Sequence, residues 1–261
     1  MKHIVITGST RGIGRGLAEQ FLLRGHKVTI NGSSSTSVHN ALKTLGEKYR
    51  GRVQGVIGNV NNYEDIDELY KKAVKGFGPV DIWINNAGID QEWEMFIDCD
   101  INQCYKVIDT NIKGVINGTQ VAMKNMNQQG YGFIYNMEGY GSDGRTMHKM
   151  SIYGTSKRAV SYFTQSIAKE VKGSNIKIGR LSPGMVMTDL IRNGIPKDEV
   201  EAANFKKICN ILADTVEDVT AFLGERILTN HKNNVHIKWL TSRKVAFRFV
   251  TSRFSKRNVW N

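Results

Sequence analysis

The sequence is poor in the residues that staple a chain or interrupt it, with 3 cysteines and 3 prolines in 261 residues. Cys99, Cys104 and Cys209 are odd in number and form no CxxC pair. That excludes a disulfide framework and a thiolate metal centre, and reads as free thiols in a reducing compartment. No apolar run approaches the roughly 20 residues of a membrane-spanning helix. The start, Met1-Lys2-His3-Ile4-Val5-Ile6-Thr7, runs straight into a strand-like segment without the features of a signal peptide, so a cytoplasmic location is expected. Acidic residues are missing from one long stretch. Positions 226–261 hold nine Lys/Arg and no Asp or Glu, so of the net charge of +12 only +3 belongs to the first 225 residues. Aromatics interleaved on a basic sheet are also lacking, which argues against nucleic-acid binding.

What is present is an alternation of two periodicities. Strand-like runs at 2–7, 27–31, 53–57, 80–85, 132–137 and 175–181 are separated by helical stretches at 12–24, 36–49, 64–77, 101–128 and 152–171. Continuous apolar runs such as Ile4-Val5-Ile6 fit strands covered on both faces, so the expected fold is a doubly wound α/β domain with a parallel sheet. In such a fold ligands bind at the carboxyl ends of the strands, at the switch point of the topology. A last strand is expected at 235–239.

Each chemistry-bearing motif falls at a strand end. After the first strand comes Thr7-Gly8-Ser9-Thr10-Arg11-Gly12-Ile13-Gly14. Glycines there allow a tight turn and let a pyrophosphate reach the N–H groups of the following helix. After the second strand, Asn31-Gly32-Ser33-Ser34-Ser35 has no acid to hold a ribose diol, and Arg11 lies within the glycine loop. Both favour a 2′-phosphate, hence NADP(H). Gly58-Asn59-Val60 follows the third strand, with Asn59 placed for an adenine edge, and Asn85-Asn86-Ala87-Gly88 closes the fourth. Asn111 sits inside a helical stretch that asparagine disfavours. Ser182-Pro183-Gly184-Met185-Val186-Met187-Thr188 follows the sixth strand, with Thr188 able to donate to a carboxamide. Tyr153 and Lys157 lie one helical turn apart on one face. An ammonium beside a phenol favours the phenolate, so the pair is expected to act as an acid/base with a lowered tyrosine pKa.

In this order and spacing the motifs closely resemble the short-chain dehydrogenase/reductase family over about residues 2–190. The resemblance implies a Rossmann fold, a nicotinamide cofactor, a small carbonyl or alcohol substrate, and a homodimer or homotetramer built on the Asn111 and Tyr153 helices. It assigns the acid/base to Tyr153, the pKa-lowering and ribose-binding role to Lys157, a water-linked proton relay to Asn111 and the carboxamide contact to Thr188. Asn86, Ala87, Gly88 and the glycines would line the cofactor, with Ser9, Ile13, Ser33, Val60, Pro183, Gly184 and Val186 beside them.

One departure matters. The family's serine upstream of the tyrosine is replaced: in Tyr135-Asn136-Met137-Glu138-Gly139-Tyr140-Gly141-Ser142, Gly139 holds that position. Ser142 is the nearest hydroxyl, with Tyr140 or no replacement as the alternatives. The same stretch, with Ser182–Leu190, Phe205–Ala213 and Trp239-Leu240-Thr241, resembles the chlorophyll(ide) b reductase branch, whose members reduce a formyl group on a chlorin ring. Met137, Met147, Met150, Met185 and Met187 lie on loops that should wall the substrate pocket, as suits a bulky apolar ligand and equally an ordinary core. The expected division is a domain over 1–240, with a mobile lid at about 190–212, and a basic tail over 241–261. In the tail Phe247, Val250 and Phe254 recur at helical spacing among Arg243, Lys244, Arg248, Arg253, Lys256 and Arg257. Docking of this segment onto the body is the favoured expectation and contact with an anionic membrane surface the alternative. No metal site is expected. A cofactor-binding sensor without turnover is the competing functional class, and Gly139 is its motivation.

Overall fold

The computed structural model describes residues 1–254 and 257–260. The elements run β1 (His3–Ile6), α1 (Gly12–Leu23), β2 (Lys27–Gly32), α2 (Ser35–Lys48), β3 (Val53–Ile57), α3 (Tyr63–Phe77), β4 (Ile82–Asn85), α4 (Ile101–Ile108), α5 (Gly114–Gln129), β5 (Gly132–Met137), α6 (Ser151–Glu170), β6 (Ile176–Ser182), α7 (Asp189–Asn193), α8 (Glu199–Leu212), α9 (Val216–Thr229), β7 (Val235–Lys238) and α10 (Ser242–Thr251). The strands form one seven-stranded sheet in the order β3-β2-β1-β4-β5-β6-β7, every pair parallel. The chain winds outward from β1 to β3 and returns to β4 on the other side of β1. That reversal opens a crevice at the carboxyl ends of β1 and β4.

Parallel strands buried on both faces need a core on each, and two are present. One gathers Ile4, Ile6, Leu17, Phe21, Ile84 and Leu223 under α1 and α9. The other gathers Val5, Ile66, Leu69, Trp83, Val121 and Ile178 under α3, α5 and α6. Through the middle of the sheet runs a fully partnered amide network. Asn85 accepts from Trp83 Nε1 (2.7 Å) and donates to Asn136 Oδ1 (2.8 Å), and Asn136 donates to Thr164 (2.9 Å). A buried polar group is tolerated only when its partners are complete, so these asparagines act as struts of the sheet.

The single helix expected over 101–128 is two, α4 and α5, joined by a π-helical turn at Asp109–Lys113. Asn111 lies fully buried in that turn. Wide turns of this kind occur mostly as local insertions at functional sites. Helix α9 has no counterpart in the sequence reading, although its start is legible: the Thr215 hydroxyl accepts from Asp218 N (3.1 Å), as an N-cap does, and donates to Asp218 Oδ2 (2.9 Å). The segment expected as a lid is helical, as α7 and α8, and is tied to the body by Lys149–Glu201 (2.8 Å) and Lys197–Glu92 (3.0 Å).

The basic tail folds back. Buried Asp214 takes both guanidinium nitrogens of Arg248 (2.8 and 2.9 Å), Arg257 Nη2 (2.6 Å) and Trp239 Nε1 (2.6 Å). Lys256 lies outside the described residues. The backbone of Asp214 also bonds Met185 and Met187, so one residue links the tail to the loop after β6. An Asp214→Asn variant is expected to lose about 3 kcal/mol of unfolding free energy, because removing one partner of a buried ion pair leaves the arginines uncompensated. Urea denaturation checks this, and an unchanged midpoint would refute the linking role.

Candidate active site

At the switch point the glycine loop and the end of β4 are pressed together. Gly8 has φ +60°, and a Cβ on it would stand 2.7 Å from Ala87 Cα, so only glycine fits both the turn and the approach. Asn86 Nδ2 donates to the carbonyls of Thr7 (2.9 Å) and Gly8 (3.0 Å), holding the loop against β4. Helix α1 begins at Gly12 without a side-chain cap or an acidic residue in its first turn, which leaves its N–H groups and positive dipole end for an anion. Gly12 lies against Thr188, 3.5 Å from a Cβ on the glycine to Thr188 Cγ2, which brings the loop after β6 to the same place. Arg11 and Ser33 are exposed beside it, as is Asn59 at the end of β3. Three residues expected beside the cofactor direct their side chains into the protein. Ser9 is fully buried, its hydroxyl donating to Ile6 O (2.6 Å) and accepting from Asn31 N (3.0 Å). Val60 packs under Gly114, and Val186 belongs to the core below the sheet.

The tyrosine–lysine pair stands at the carboxyl end of β5. Lys157 is buried, and its Nζ reaches Met137 O (3.4 Å) and lies 5.6 Å from the centre of the Tyr153 ring. A Cβ on Gly88 would be 3.2 Å from Asn111 Oδ1 and 3.4 Å from Lys157 Nζ. The loop after β4, the π turn and the lysine therefore share one point. Asn111 clamps Ile89 through both of its backbone groups, accepting from its N–H and donating to its carbonyl (2.9 Å each). It also donates to Ser156 Oγ (3.0 Å), which donates to Tyr153 O (2.7 Å). Gln91 Oε1 accepts from Tyr153 N (2.7 Å). The sequence reading missed Gln91, which pins the first turn of α6 to the loop after β4.

The missing serine has a steric explanation. A Cβ built on Gly139 would collide with the Tyr153 hydroxyl and come within 3.2 Å of Lys157 Cε. The phenol thus lies where a side chain at position 139 would begin. Ser142 lies on the turn that Gly139 opens, its N–H donating to Gly139 O (3.2 Å), while its carbonyl accepts from Arg158 Nη1 (3.0 Å) on the exposed side of α6. Among the described residues no hydrogen bond joins the Ser142 hydroxyl to Tyr153. Tyr140 donates its hydroxyl to Thr146 O (3.0 Å).

The electrostatics reverse one expectation. Burial pushes the Tyr153 phenol up, and the neighbouring Asp90 carboxylate adds to the rise. Burial likewise pushes Lys157 down to about 8, against the raising influence of Asp90 and Glu138. Desolvation disfavours a phenolate and an ammonium alike, and the lysine nitrogen lies over the ring's side of Tyr153, so its influence does not win. Asp90 is itself raised to about 6 by burial, with Gln91 N and Lys157 opposing. Sequence reasoning passed over it because a lone acid after the Asn-Asn-Ala-Gly turn carries no motif.

A second cluster braces the site from below. Buried Glu138, between Met137 and Gly139, accepts from Ser182 Oγ (2.6 Å) and faces His236 Nε2 (2.7 Å) and Arg180 Nη1 (3.8 Å). Burial alone would raise this carboxyl, but the His236 and Ser182 hydrogen bonds outweigh it and hold it down at about 2. A carboxyl with a folded pKa below its unfolded value contributes stability that is complete above the unfolded pKa of about 4.3 and disappears as pH falls through the folded one. Unfolding free energy should therefore drop steeply between about pH 4.3 and pH 2, and Glu138→Gln should flatten that slope. Chemical denaturation at a series of pH values reads both slopes; identical slopes would remove Glu138 from the account.

Two residues beyond Gln91, Trp93 packs edge-on against Phe205 of α8 (5.8 Å), which meets Trp260 (6.4 Å). This aromatic cluster joins the loop after β4, α8 and the segment after α10, three segments too far apart in sequence to signal one another. Of the five methionines, Met137 belongs to the core and Met150 is buried. His148 is exposed.

A doubly wound parallel sheet with a glycine turn at its switch point and a tyrosine–lysine turn beside it defines a dinucleotide-binding oxidoreductase class. The sequence pattern of the short chain dehydrogenase family matches residues 2–199, and the chain belongs to that family. It is 32% identical over 276 aligned positions to the probable chlorophyll(ide) b reductase NYC1 of Arabidopsis thaliana, covering 99% of this chain and 54% of that protein. It is 34% identical over 260 positions to the chlorophyll(ide) b reductase NOL of the same plant, covering 96% of this chain and 73% of that one. The chain thus spans about half the length of the first of these relatives. Among solved structures, levodione reductase superposes with a TM-score of 0.84 at 22% identity, covering 94% of this chain and 98% of that one. The enzyme KRED1-Pglu does so with 0.80 at 24%, covering 91% and 100%.

Proposed function

We propose that this chain is an NADPH-dependent carbonyl reductase acting on a bulky apolar aldehyde or ketone. The observation that carries the reading is the placement of the Tyr153 hydroxyl against Gly139, beside Lys157, whose Nζ faces Gly88 of the loop after β4. The glycine turn, the uncapped start of α1 and Thr188 would hold the cofactor's diphosphate and carboxamide ends. Exposed Arg11 and Ser33, with no acid after β2, suit a 2′-phosphate. Bound there, a reduced nicotinamide supplies a hydride. The protein's part is to orient the carbonyl and to supply a proton at Tyr153 Oη. A phenol with a raised pKa stays protonated through the neutral range, which suits donation to a developing alkoxide and favours reduction over oxidation. Lys157 and the Asn111–Ser156 chain hold the tyrosine's turn and give a polar path toward the π turn.

The aromatic cluster of Trp93, Phe205 and Trp260 supports a large flat substrate, and the two chlorophyll(ide) b reductases are relatives with such a one. The lid at 190–212, association through the Asn111 and Tyr153 helices and a cytoplasmic location complete the reading. Cofactor consumption with a panel of aromatic aldehydes and ketones tests it. Activity is expected with NADPH well above that with NADH, and Arg11→Ala should raise the KM for NADPH by about tenfold while leaving the KM for NADH unchanged, since a charged hydrogen bond is worth about 1.5–3 kcal/mol. Equal use of both cofactors by the unaltered protein would overturn the NADPH assignment.

A further inference from the structure

Helix α10 docks with its charges inward and its apolar side chains outward. The face toward the body carries Arg248, bound to Asp214, and Lys244, whose Nζ lies 3.2 Å from the centre of the Trp239 indole. The opposite face carries Phe247 (68% exposed) and Val250 (73%), and Phe254 (89%) follows in the turn after the helix, its N–H donating to Thr251 O (3.0 Å). Positions 243, 247 and 250 fall on one narrow stripe at helical spacing, so exposed Arg243 heads the same line, and exposed Arg253 and Phe254 follow in the turn beyond it. A helix that serves only to cover the core shows the reverse arrangement. Three large apolar side chains exposed on the helix and the turn after it, flanked by Arg243 and Arg253, have the composition of an interfacial anchor.

We infer that the outer face of α10 is a docking surface for an anionic phospholipid bilayer, with Phe247, Val250 and Phe254 entering the headgroup boundary and Arg243 and Arg253 meeting the lipid phosphates. Charge selects this occupant. The face carries the cations Arg243 and Arg253, and residues 226–261 hold no acid, so two such faces repel one another, whereas an anionic leaflet attracts each basic side chain within a Debye length of it. Among the described residues no helix is long and apolar enough to cross a membrane, so the contact is one of the surface. Helix α10 lies against α8, where Arg248 also donates to Leu212 O (3.0 Å), which puts the bound bilayer on the side of the lid.

The test is co-sedimentation of the full chain with vesicles of phosphatidylcholine alone and of phosphatidylcholine with phosphatidylglycerol. Binding is expected to the mixed vesicles, to be lost in high salt, and to fall by roughly tenfold or more in a Phe247→Ser, Val250→Ser, Phe254→Ser triple variant whose circular dichroism and melting are unchanged. No binding to the mixed vesicles, equal binding to both kinds, or full binding by the triple variant would overturn the inference. So would a concentration-dependent dimer that the triple variant abolishes, because it would assign the face to a second copy. None of these readouts involves turnover, so the result is independent of the proposed carbonyl chemistry.

Discussion

Tyr153→Phe is expected to lower kcat for carbonyl reduction by on the order of 10²–10⁴-fold, the usual contribution of a positioned proton donor. The substitution removes one oxygen and leaves the rest of the turn standing. The bond from Tyr153 N to Gln91 and the chain Asn111–Ser156–Tyr153 O are made by backbone and neighbouring groups, and the ring beside Lys157 is retained. Cofactor affinity and melting temperature should therefore stay near those of the unaltered protein, which separates loss of the proton from loss of the fold. Steady-state kinetics with cofactor titration read the two effects apart. A fall in cofactor affinity as large as the fall in kcat would mean that Tyr153 holds the site together instead of donating within it.

Gly139→Ser, which restores the family's residue, should lower kcat by roughly 10–100-fold. The reason is geometric: a Cβ at this position collides with the Tyr153 hydroxyl and presses on Lys157 Cε. A displacement of the order of an ångström in a reacting group is enough for about a hundredfold loss. Gly139 lies outside the left-handed backbone region, so serine brings no conformational strain of its own and the loss would come from the displaced phenol. Ser142→Ala serves as the companion measurement. With the Ser142 backbone turned to Arg158 and no hydrogen bond from its hydroxyl to Tyr153, kcat should stay within about threefold. A gain in kcat from Gly139→Ser would show that the working position of the tyrosine lies elsewhere.

Local sequence carried the frame of this protein because each strand of a parallel sheet announces itself by a short apolar run and each crossover by a helical stripe. The strand expected at 132–137 is β5 to the residue, and those around Lys27 and Val53 differ by no more than one position. The cofactor turn was legible for the same reason: Gly8, Gly12 and Gly14 sit within seven positions of one another, and the close approaches they allow follow from glycine itself. Asn111 was legible as an anomaly, an asparagine inside a helix, and the π turn is its resolution. What stayed hidden depends on contacts between distant segments. Glu138 is held by Ser182 and His236, which stand 44 and 98 positions further along. Asp214 meets Arg248 and Arg257 only once α10 folds back. The direction of the Tyr153 shift was misread because spacing places a lysine one turn away but says nothing of burial, and here burial is the larger influence on both groups.

Isotope transfer tests the central claim most directly. The protein is incubated with NADPH carrying deuterium on the transferable position of its nicotinamide ring and with an aldehyde it consumes, and the alcohol is analysed by mass spectrometry and NMR. The account predicts one deuterium on the new carbinol carbon, and none in the product made without the protein. Cofactor that binds while the label stays on the nicotinamide across the aldehyde and ketone panel would contradict it, and would make this chain a holder of the nucleotide.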